Sequence, residues 1–152
     1  MKDTFNREIN YLRVSVTDRC DLRCVYCMKE NMNFLPKSEI LSSEEINSIC
    51  STFIELGVKK IRITGGEPLI KKGMPAILEY LGKKLKNSNL EELTLTTNGT
   101  QLYKYAEMIK KNGINRINVS LDSLDPAKYL KITRGGNLEQ VLEGLNIAKK
   151  IG

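Results

Sequence analysis

Three of the four cysteines in this chain lie within eight residues, in the segment CDLRCVYC. A disulfide needs two sulfurs and a structural zinc site usually has four ligands, so neither accounts simply for three thiols. Thiolates also hold iron–sulfur clusters, and a 4Fe–4S cluster bound only by Cys20, Cys24 and Cys27 would keep one iron free for another ligand. Two alternatives stay open: a zinc site completed by Cys50, and free thiols.

The composition predicts one globular domain over residues 1–152, with 41% hydrophobic and 28% charged residues. The polar N-terminus lacks a signal peptide, and no apolar run is long enough to span a membrane, so we expect a cytosolic protein with reduced thiols and no membrane partner. The net charge of +6 arises largely from lysine pairs at predicted helix ends, which argues against a nucleic-acid partner. The chain contains no histidine, which excludes imidazole as a general base or zinc ligand.

Strand and helix patterns alternate along the chain. Predicted strands cover 11–17, 59–64, 92–97 and 114–121. Five helices are predicted. The first follows a capping box at Ser42 and Glu45, and the others begin near Pro75, Gln101, Asp125-Pro126 and Leu138. The helix after Ser42 carries Cys50 on its apolar stripe, which favours a core position for this thiol. The alternation predicts an α/β fold with a parallel sheet of about four β/α units.

Four segments that follow the predicted strands carry the residue types that do chemistry. They are TDRCDLRCVYC, TGGEP, TTNG and SLDS. Because ligands of parallel β/α folds bind beyond the carboxyl ends of the strands, we expect these segments to meet at one rim. The glycine pair in TGGEP indicates a turn or a close backbone approach.

CDLRCVYC resembles the C-x3-C-x2-C signature of the radical S-adenosylmethionine (SAM) superfamily, and TGGEP resembles its second motif. The strings LRVSVTDRCDLRCVYCM, KKIRITGGEPL, LTLTTNGT, INRINVSLDSLDP and ITRGGNLEQVLEGL are similar, in order, to the GTP 3′,8-cyclase family of molybdenum cofactor biosynthesis. The resemblance implies a partial (β/α) parallel barrel of the radical SAM type. It also implies a lyase that uses a 4Fe–4S cluster and SAM to convert GTP to (8S)-3′,8-cyclo-7,8-dihydroguanosine 5′-triphosphate.

The resemblance further implies a role for each matched residue, with no catalytic side chain beyond the cofactors. The implied cluster ligands are Cys20, Cys24 and Cys27, and the residues implied to line the SAM site are Tyr26, Gly66 and Ser120. The residues implied to contact GTP are Arg13, Arg62 and Thr96. Glu67 is a further candidate at the methionine amine of SAM. Without the resemblance, the two arginines could be ordinary outward-facing charges. Arg134 is interpreted as part of a turn and has no assigned role.

The family's enzymes are longer than this chain and carry a second three-cysteine cluster that this sequence lacks. The sequence is therefore interpreted as the N-terminal part of such an enzyme, with an unpaired strand at the edge of an incomplete barrel. Two other functions stay open: a radical SAM protein with another substrate, and a zinc-stabilised binding module. GTP and an electron donor are the implied partners, and a homodimer is left open.

Overall fold

The computed structural model describes residues 2–152, which form a four-stranded parallel sheet in the order β1-β2-β3-β4. The strands are β1 (Tyr11–Ser15), β2 (Lys60–Thr64), β3 (Glu92–Thr97) and β4 (Ile117–Val119). The helices are α1 (Ser43–Glu55), α2 (Met74–Asn87), α3 (Leu102–Lys111), α4 (Pro126–Thr133) and α5 (Leu138–Ile151). Short 3₁₀ helices occur at Lys37–Glu39 and Pro68–Ile70. The predicted α/β fold of about four β/α units is confirmed.

The helix boundaries follow local side-chain chemistry. The hydroxyl of Ser42 accepts a hydrogen bond from the Glu45 amide at 3.1 Å, and the Glu45 carboxylate accepts one from the Ser42 amide at 2.7 Å. This is the predicted capping box, which satisfies two amides that the first turn of α1 cannot pair. Gly57 ends the same helix with a φ of 97°, a conformation that favours glycine. Asp125 caps α4 by accepting from the Lys128 amide at 2.9 Å.

The core lies between one face of the sheet and the helices. Alternate residues of the two central strands are fully buried there, namely Ile61, Ile63, Leu93 and Leu95. Cys50, on the core face of α1, is 0% exposed in the same cluster. Each buried aliphatic side chain contributes about 1.5–3 kcal/mol relative to exposure, so this layer fixes the sheet against the helices.

The opposite face of the sheet is polar. Arg13 of β1 is in register with Arg62 of β2, which is in register with Thr94 of β3. Because successive side chains of a strand point to opposite faces, these three residues lie on the face opposite to the core. Thr96 of β3 lies further along this face, in register with Asn118 of β4. The two predicted substrate-binding arginines are thus neighbours on one surface.

The parallel arrangement directs the carboxyl ends of all four strands to the same rim of the sheet. The loops that follow β1, β2, β3 and β4 therefore meet there, as expected from the strand order. Across residues 2–152, no helix has the length and apolar character required to cross a membrane.

Candidate functional site

The cysteine-bearing loop follows β1 and lies at this rim. Cys20 and Cys24 are half-buried, and Cys27 is exposed. The Cys27 amide donates to the Cys24 carbonyl at 2.9 Å, and the Leu22 amide donates to the Cys20 sulfur at 3.4 Å. These hydrogen bonds fold the loop on itself, and none of the three thiols is fully buried.

The end of α4 supports the cysteine loop from one side. The amides of Arg23 and Val25 donate to the carbonyls of Thr133 and Ile132, at 3.0 and 2.9 Å. Arg134, for which the sequence predicts no role, has a φ of 52° and donates through its guanidinium to the Met28 carbonyl at 3.4 Å. The segment ITRGG therefore serves as a brace for the cysteine loop in this structure.

The glycine pair after β2 supports the loop from the other side. The Gly66 amide donates to the Thr17 carbonyl at 2.7 Å, and the Glu67 amide donates to the Arg19 carbonyl at 2.7 Å. A Cβ atom on Gly66 would lie 2.2 Å from the Arg19 carbonyl oxygen. The close approach predicted for Gly66 thus exists, and its partner here is the chain's own backbone beside Cys20.

Asp21 links the cysteine loop to the loop after β3, a contact that sequence reasoning did not identify. One carboxylate oxygen of Asp21 accepts from the Asn98 amide group at 2.8 Å, and the other accepts from the Thr100 hydroxyl at 2.6 Å. The Asn98 side chain also donates to the Cys20 sulfur at 3.7 Å. The TTNG turn is the one sequence signal near this contact. Asp21 lies nearly 80 residues before that turn, so a local pattern cannot predict that the two meet.

Glu67 joins the loops after β2 and β3 through a fully buried carboxyl group. Its oxygens accept from the amide of Leu69 at 2.9 Å, the hydroxyl of Thr97 at 2.8 Å and the amide of Asn98 at 2.6 Å. Burial raises its pKa to about 7, even though these three donors act in the opposite direction. The suggested contact of Glu67 with the methionine amine stays a prediction. In this structure the side chain fastens two loops of the rim together.

The buried carboxyl of Glu67 predicts a pH-dependent stability. Its pKa is about 7 in the folded chain against an ordinary value of 4.5, so the folded state binds the proton more tightly. The free energy of unfolding should therefore fall as the pH rises from about 4.5 to about 7. Since the chain has no histidine, few other side chains titrate between pH 5 and 7.5. Urea unfolding of the metal-free chain across this range measures the effect.

Glu67→Gln should unfold with a nearly constant free energy over the same pH interval. Glu79→Gln is the matched control, because Glu79 is an exposed carboxylate on α2 paired with Lys83. This control should retain the decline. A decline of equal size in Glu67→Gln would contradict the role assigned to the buried carboxyl.

The thiols of the loop are set in a partly desolvated, acidic environment. Burial raises the pKa of Cys20 to about 11, and the charges of Asp21 and Glu67 act in the same direction. Burial and the charge of Asp122 also raise the pKa of Cys24. A soft metal must therefore displace protons when it binds these sulfurs.

The donor set fits an iron–sulfur cluster better than a single zinc ion. Within residues 2–152, no three side chains from His, Cys, Asp and Glu converge on one point in a way that could hold a single ion. A cluster does not require such convergence, because each cysteine binds a different iron. Cys50 packs in the hydrophobic core, so the structure gives no support to a zinc site completed by that thiol.

The three residues expected near SAM all lie at the rim. Tyr26 is 67% exposed, and its hydroxyl donates to the Asp122 carboxylate at 2.9 Å, which fixes an open aromatic face beside Cys27. Ser120 follows β4 with an exposed side chain, and its amide donates to the Thr97 carbonyl at 2.9 Å. Gly66 follows β2, so in strand order it lies between Tyr26, which follows β1, and Ser120, which follows β4. The structure thus brings these residues to the same side as the thiols, and their contact with SAM stays a prediction.

The residues expected to contact GTP lie on the polar face of the sheet. Arg62 is half-buried, donates to the Thr94 hydroxyl at 3.4 Å, and has its guanidinium 5.7 Å from the centre of the Tyr11 ring. Neither Arg13 nor Arg62 forms a salt bridge within the described chain. The buried hydroxyl of Thr96 has no hydrogen-bond partner among residues 2–152. Two unneutralised guanidiniums and an unsatisfied hydroxyl on one face suit a polyanionic ligand.

Comparisons with known proteins agree with this arrangement. Residues 14–152 match the family model described as "Radical SAM superfamily". The chain is 57% identical over 152 residues to the GTP 3′,8-cyclase of Rhizobium etli (strain CIAT 652), covering all of this chain and 43% of that protein. It is 56% identical over 152 residues to the GTP 3′,8-cyclase of Bradyrhizobium diazoefficiens, covering all of this chain and 44% of that protein. The chain therefore spans less than half the length of these curated relatives, and matches their N-terminal part.

Solved structures of lower identity share the fold. Streptococcus suis SuiB bound to S-adenosylmethionine superposes with a TM-score of 0.78 at 21% identity, covering 94% of this chain and 32% of that one. The structure described as native anSMEcpe with bound AdoMet gives a TM-score of 0.72 at 20% identity, covering 93% of this chain and 41% of that one. These two similarities concern the architecture of the sheet and helices.

Proposed function

Because this chain belongs to the radical SAM superfamily, we propose that it acts in a GTP 3′,8-cyclase, a radical SAM lyase of molybdenum cofactor biosynthesis. The observation that carries the proposal is the meeting of two surfaces, a three-thiol loop at the rim and an adjoining polar sheet face with two unpaired arginines. Identity above 50% to named GTP 3′,8-cyclases supports this substrate over others of the superfamily. Residues 1–152 would form one domain that contributes the cofactor site and part of the substrate site.

In this proposal, Cys20, Cys24 and Cys27 hold a 4Fe–4S cluster and leave one iron open to SAM. When bound, the cluster and SAM supply the one-electron chemistry that begins a radical reaction on GTP. The contribution of the chain is to fix the sulfurs through Asp21 and the end of α4, and to shield them partly from water. These contacts support the assignment because a ligand loop with braces on both sides is pre-organised for its metal.

The SAM site would be completed by Tyr26, Gly66 and Ser120. The exposed ring of Tyr26 offers a flat surface for the adenine, and its bond to Asp122 restricts its orientation. Gly66 allows the loop after β2 to pack closely against the backbone next to Cys20. The exposed hydroxyl of Ser120 can donate or accept a hydrogen bond at the end of β4.

The polar sheet face would bind the GTP. A guanidinium binds phosphate oxygens in pairs, so Arg13 and Arg62 suit the triphosphate, and the free hydroxyl of Thr96 offers a further polar contact. Holding the nucleotide close to the SAM site is essential, since positioning of reacting groups accounts for many orders of magnitude in rate. GTP and an electron donor are the proposed partners. A cytosolic location and the absence of nucleic-acid or membrane partners are part of this proposal.

Substitution of the two arginines tests the substrate assignment. Arg13→Ala and Arg62→Ala should each weaken GTP binding by about 1–3 kcal/mol, the usual scale for losing a charge-assisted hydrogen bond. Folding should be little affected, because neither guanidinium pairs with a carboxylate. Isothermal titration calorimetry with GTP measures the loss, and circular dichroism checks the fold.

Lys60→Ala is the matched control for these arginines. Lys60 is a cation of the same strand as Arg62, but it is the first residue of β2, at the end away from the rim, and its ammonium lies 3.7 Å from the Glu92 carboxylate. Its removal should leave GTP affinity nearly unchanged. Equal GTP affinity in the unsubstituted chain and in both arginine variants would refute the assignment of this face to the nucleotide.

A further inference from the structure

Tyr129 of α4 is the largest fully buried side chain of the described residues, and it lies outside the proposed cofactor and substrate sites. Its side chain is 1% exposed and packs with Leu138 and Val141 of α5. Gly136 makes room for the ring, because a Cβ atom at that position would lie 2.7 Å from a ring carbon of Tyr129. The ring is therefore held by packing on one side, and its hydroxyl is fixed in direction.

The hydroxyl of Tyr129 has no hydrogen-bond partner among residues 2–152. A buried hydroxyl without a partner destabilises the folded state, and a phenylalanine at this position would avoid that cost. Buried polar atoms in native proteins are otherwise nearly always paired. An orphaned phenol in a tightly packed position thus indicates a partner that the polypeptide itself does not provide.

The surroundings of this hydroxyl indicate which partner fits. Burial raises the pKa of Tyr129 to about 12, and negative charge on Cys24, Asp122, Asp21 and Cys20 acts in the same direction. The end of the same helix is hydrogen-bonded to the cysteine loop through Thr133 and Ile132. The Asp21 oxygens already accept from Asn98 and Thr100, and Asp122 accepts from Tyr26. The cysteine sulfurs are therefore the neighbours best able to become acceptors.

We propose that the Tyr129 hydroxyl donates a hydrogen bond to sulfur at the iron–sulfur centre, either the Cys24 thiolate or an adjoining cluster sulfide, and thereby tunes the reduction potential. This inference rests on the proposed cluster function of the three cysteines. No cysteine sulfur of residues 2–152 accepts from this hydroxyl in the metal-free chain. Sulfur bound to iron carries more negative charge and accepts more strongly than a neutral thiol, so in this proposal the phenol gains its partner when the metal binds. Hydrogen bonds to cluster sulfurs stabilise the reduced state and raise the potential.

Tyr129→Phe isolates this role because it removes only the hydroxyl and keeps the ring. Tyr80→Phe is the matched control, since the Tyr80 hydroxyl is 2.7 Å from the Ser51 hydroxyl and lies between α2 and α1. Each variant and the unsubstituted chain are measured twice. Thermal unfolding is recorded without metal, and the midpoint potential is determined by redox titration after anaerobic reconstitution of the cluster.

The two variants should behave in opposite ways. Tyr129→Phe should keep or raise the melting temperature of the metal-free chain and should move the cluster to a more negative potential. Tyr80→Phe should lower the melting temperature and leave the potential unchanged. A potential in Tyr129→Phe equal to that of the unsubstituted chain would overturn the inference, as would a loss of metal-free stability like that of Tyr80→Phe. Failure of the unsubstituted chain to take up iron would instead overturn the proposed function, and this inference with it.

Discussion

Replacement of Cys20, Cys24 or Cys27 by alanine is expected to abolish stable iron binding after anaerobic reconstitution. Each thiol is the only protein ligand that this loop can offer to its iron, and the loop contains no histidine or spare cysteine to substitute. Soft iron centres select thiolates, so the neighbouring carboxylates are poor replacements. The measurement is iron and sulfide content per chain, with absorbance near 400 nm as a second readout.

Cys50→Ala is the control for this series. Cys50 is buried on the core face of α1 among aliphatic side chains, so its removal should cost a small amount of packing energy and leave the iron content intact. Normal iron content in any of the three loop variants would contradict the ligand assignment. Loss of iron in Cys50→Ala with the fold preserved would do the same, because it would make Cys50 a ligand.

Gly66→Ala is expected to displace the cysteine loop and to lower the free energy of unfolding by about 3 kcal/mol, at the upper end of the range for overpacking. The added methyl group would lie 2.2 Å from the Arg19 carbonyl oxygen and 2.8 Å from that of Asp18. Backbone atoms cannot rotate away as a side chain can. Relief of the overlap must therefore separate the loop from the end of β2 and break the bond from the Glu67 amide to Arg19. Chemical denaturation and iron content together measure both consequences.

Gly73→Ala provides the comparison for this substitution. The methyl group there would meet only the Ser43 side chain, whose hydroxyl can rotate out of the way. It should cost much less stability and leave iron uptake normal. A Gly66→Ala chain with unchanged stability and full iron content would show that the contact between TGGEP and the cysteine loop is not needed.

Local patterns in the sequence predicted the type and order of the elements of this fold, although the strands predicted over 11–17 and 114–121 are shorter in the structure, at Tyr11–Ser15 and Ile117–Val119. The capping box at Ser42 and Glu45 and the Asp125 cap are interactions between residues three positions apart, so they are visible in a short window. Arg13 and Arg62 alternate with apolar residues along their strands, and the observed parallel register then brings them to one face. The core position of Cys50 followed from helical periodicity in the same way.

The contacts that hold the site together could not be predicted from local patterns. Asp21 meets Thr100 and Glu67 meets Asn98, and each pair joins two loops that are distant in sequence. Which polar side chain in one loop reaches which donor in another depends on the exact path of both loops. The same holds for Tyr129, which reads as an ordinary apolar position of a short helix until its hydroxyl is found buried and unpaired.

The most direct test of the central claim is electron paramagnetic resonance of the reduced, reconstituted chain with and without SAM. The account predicts the signal of a reduced 4Fe–4S cluster held by Cys20, Cys24 and Cys27, with g values that change when SAM is added, because the cofactor binds the iron that lacks a protein ligand. A colourless protein that contains zinc would contradict this account. So would a cluster whose spectrum is unaltered by SAM.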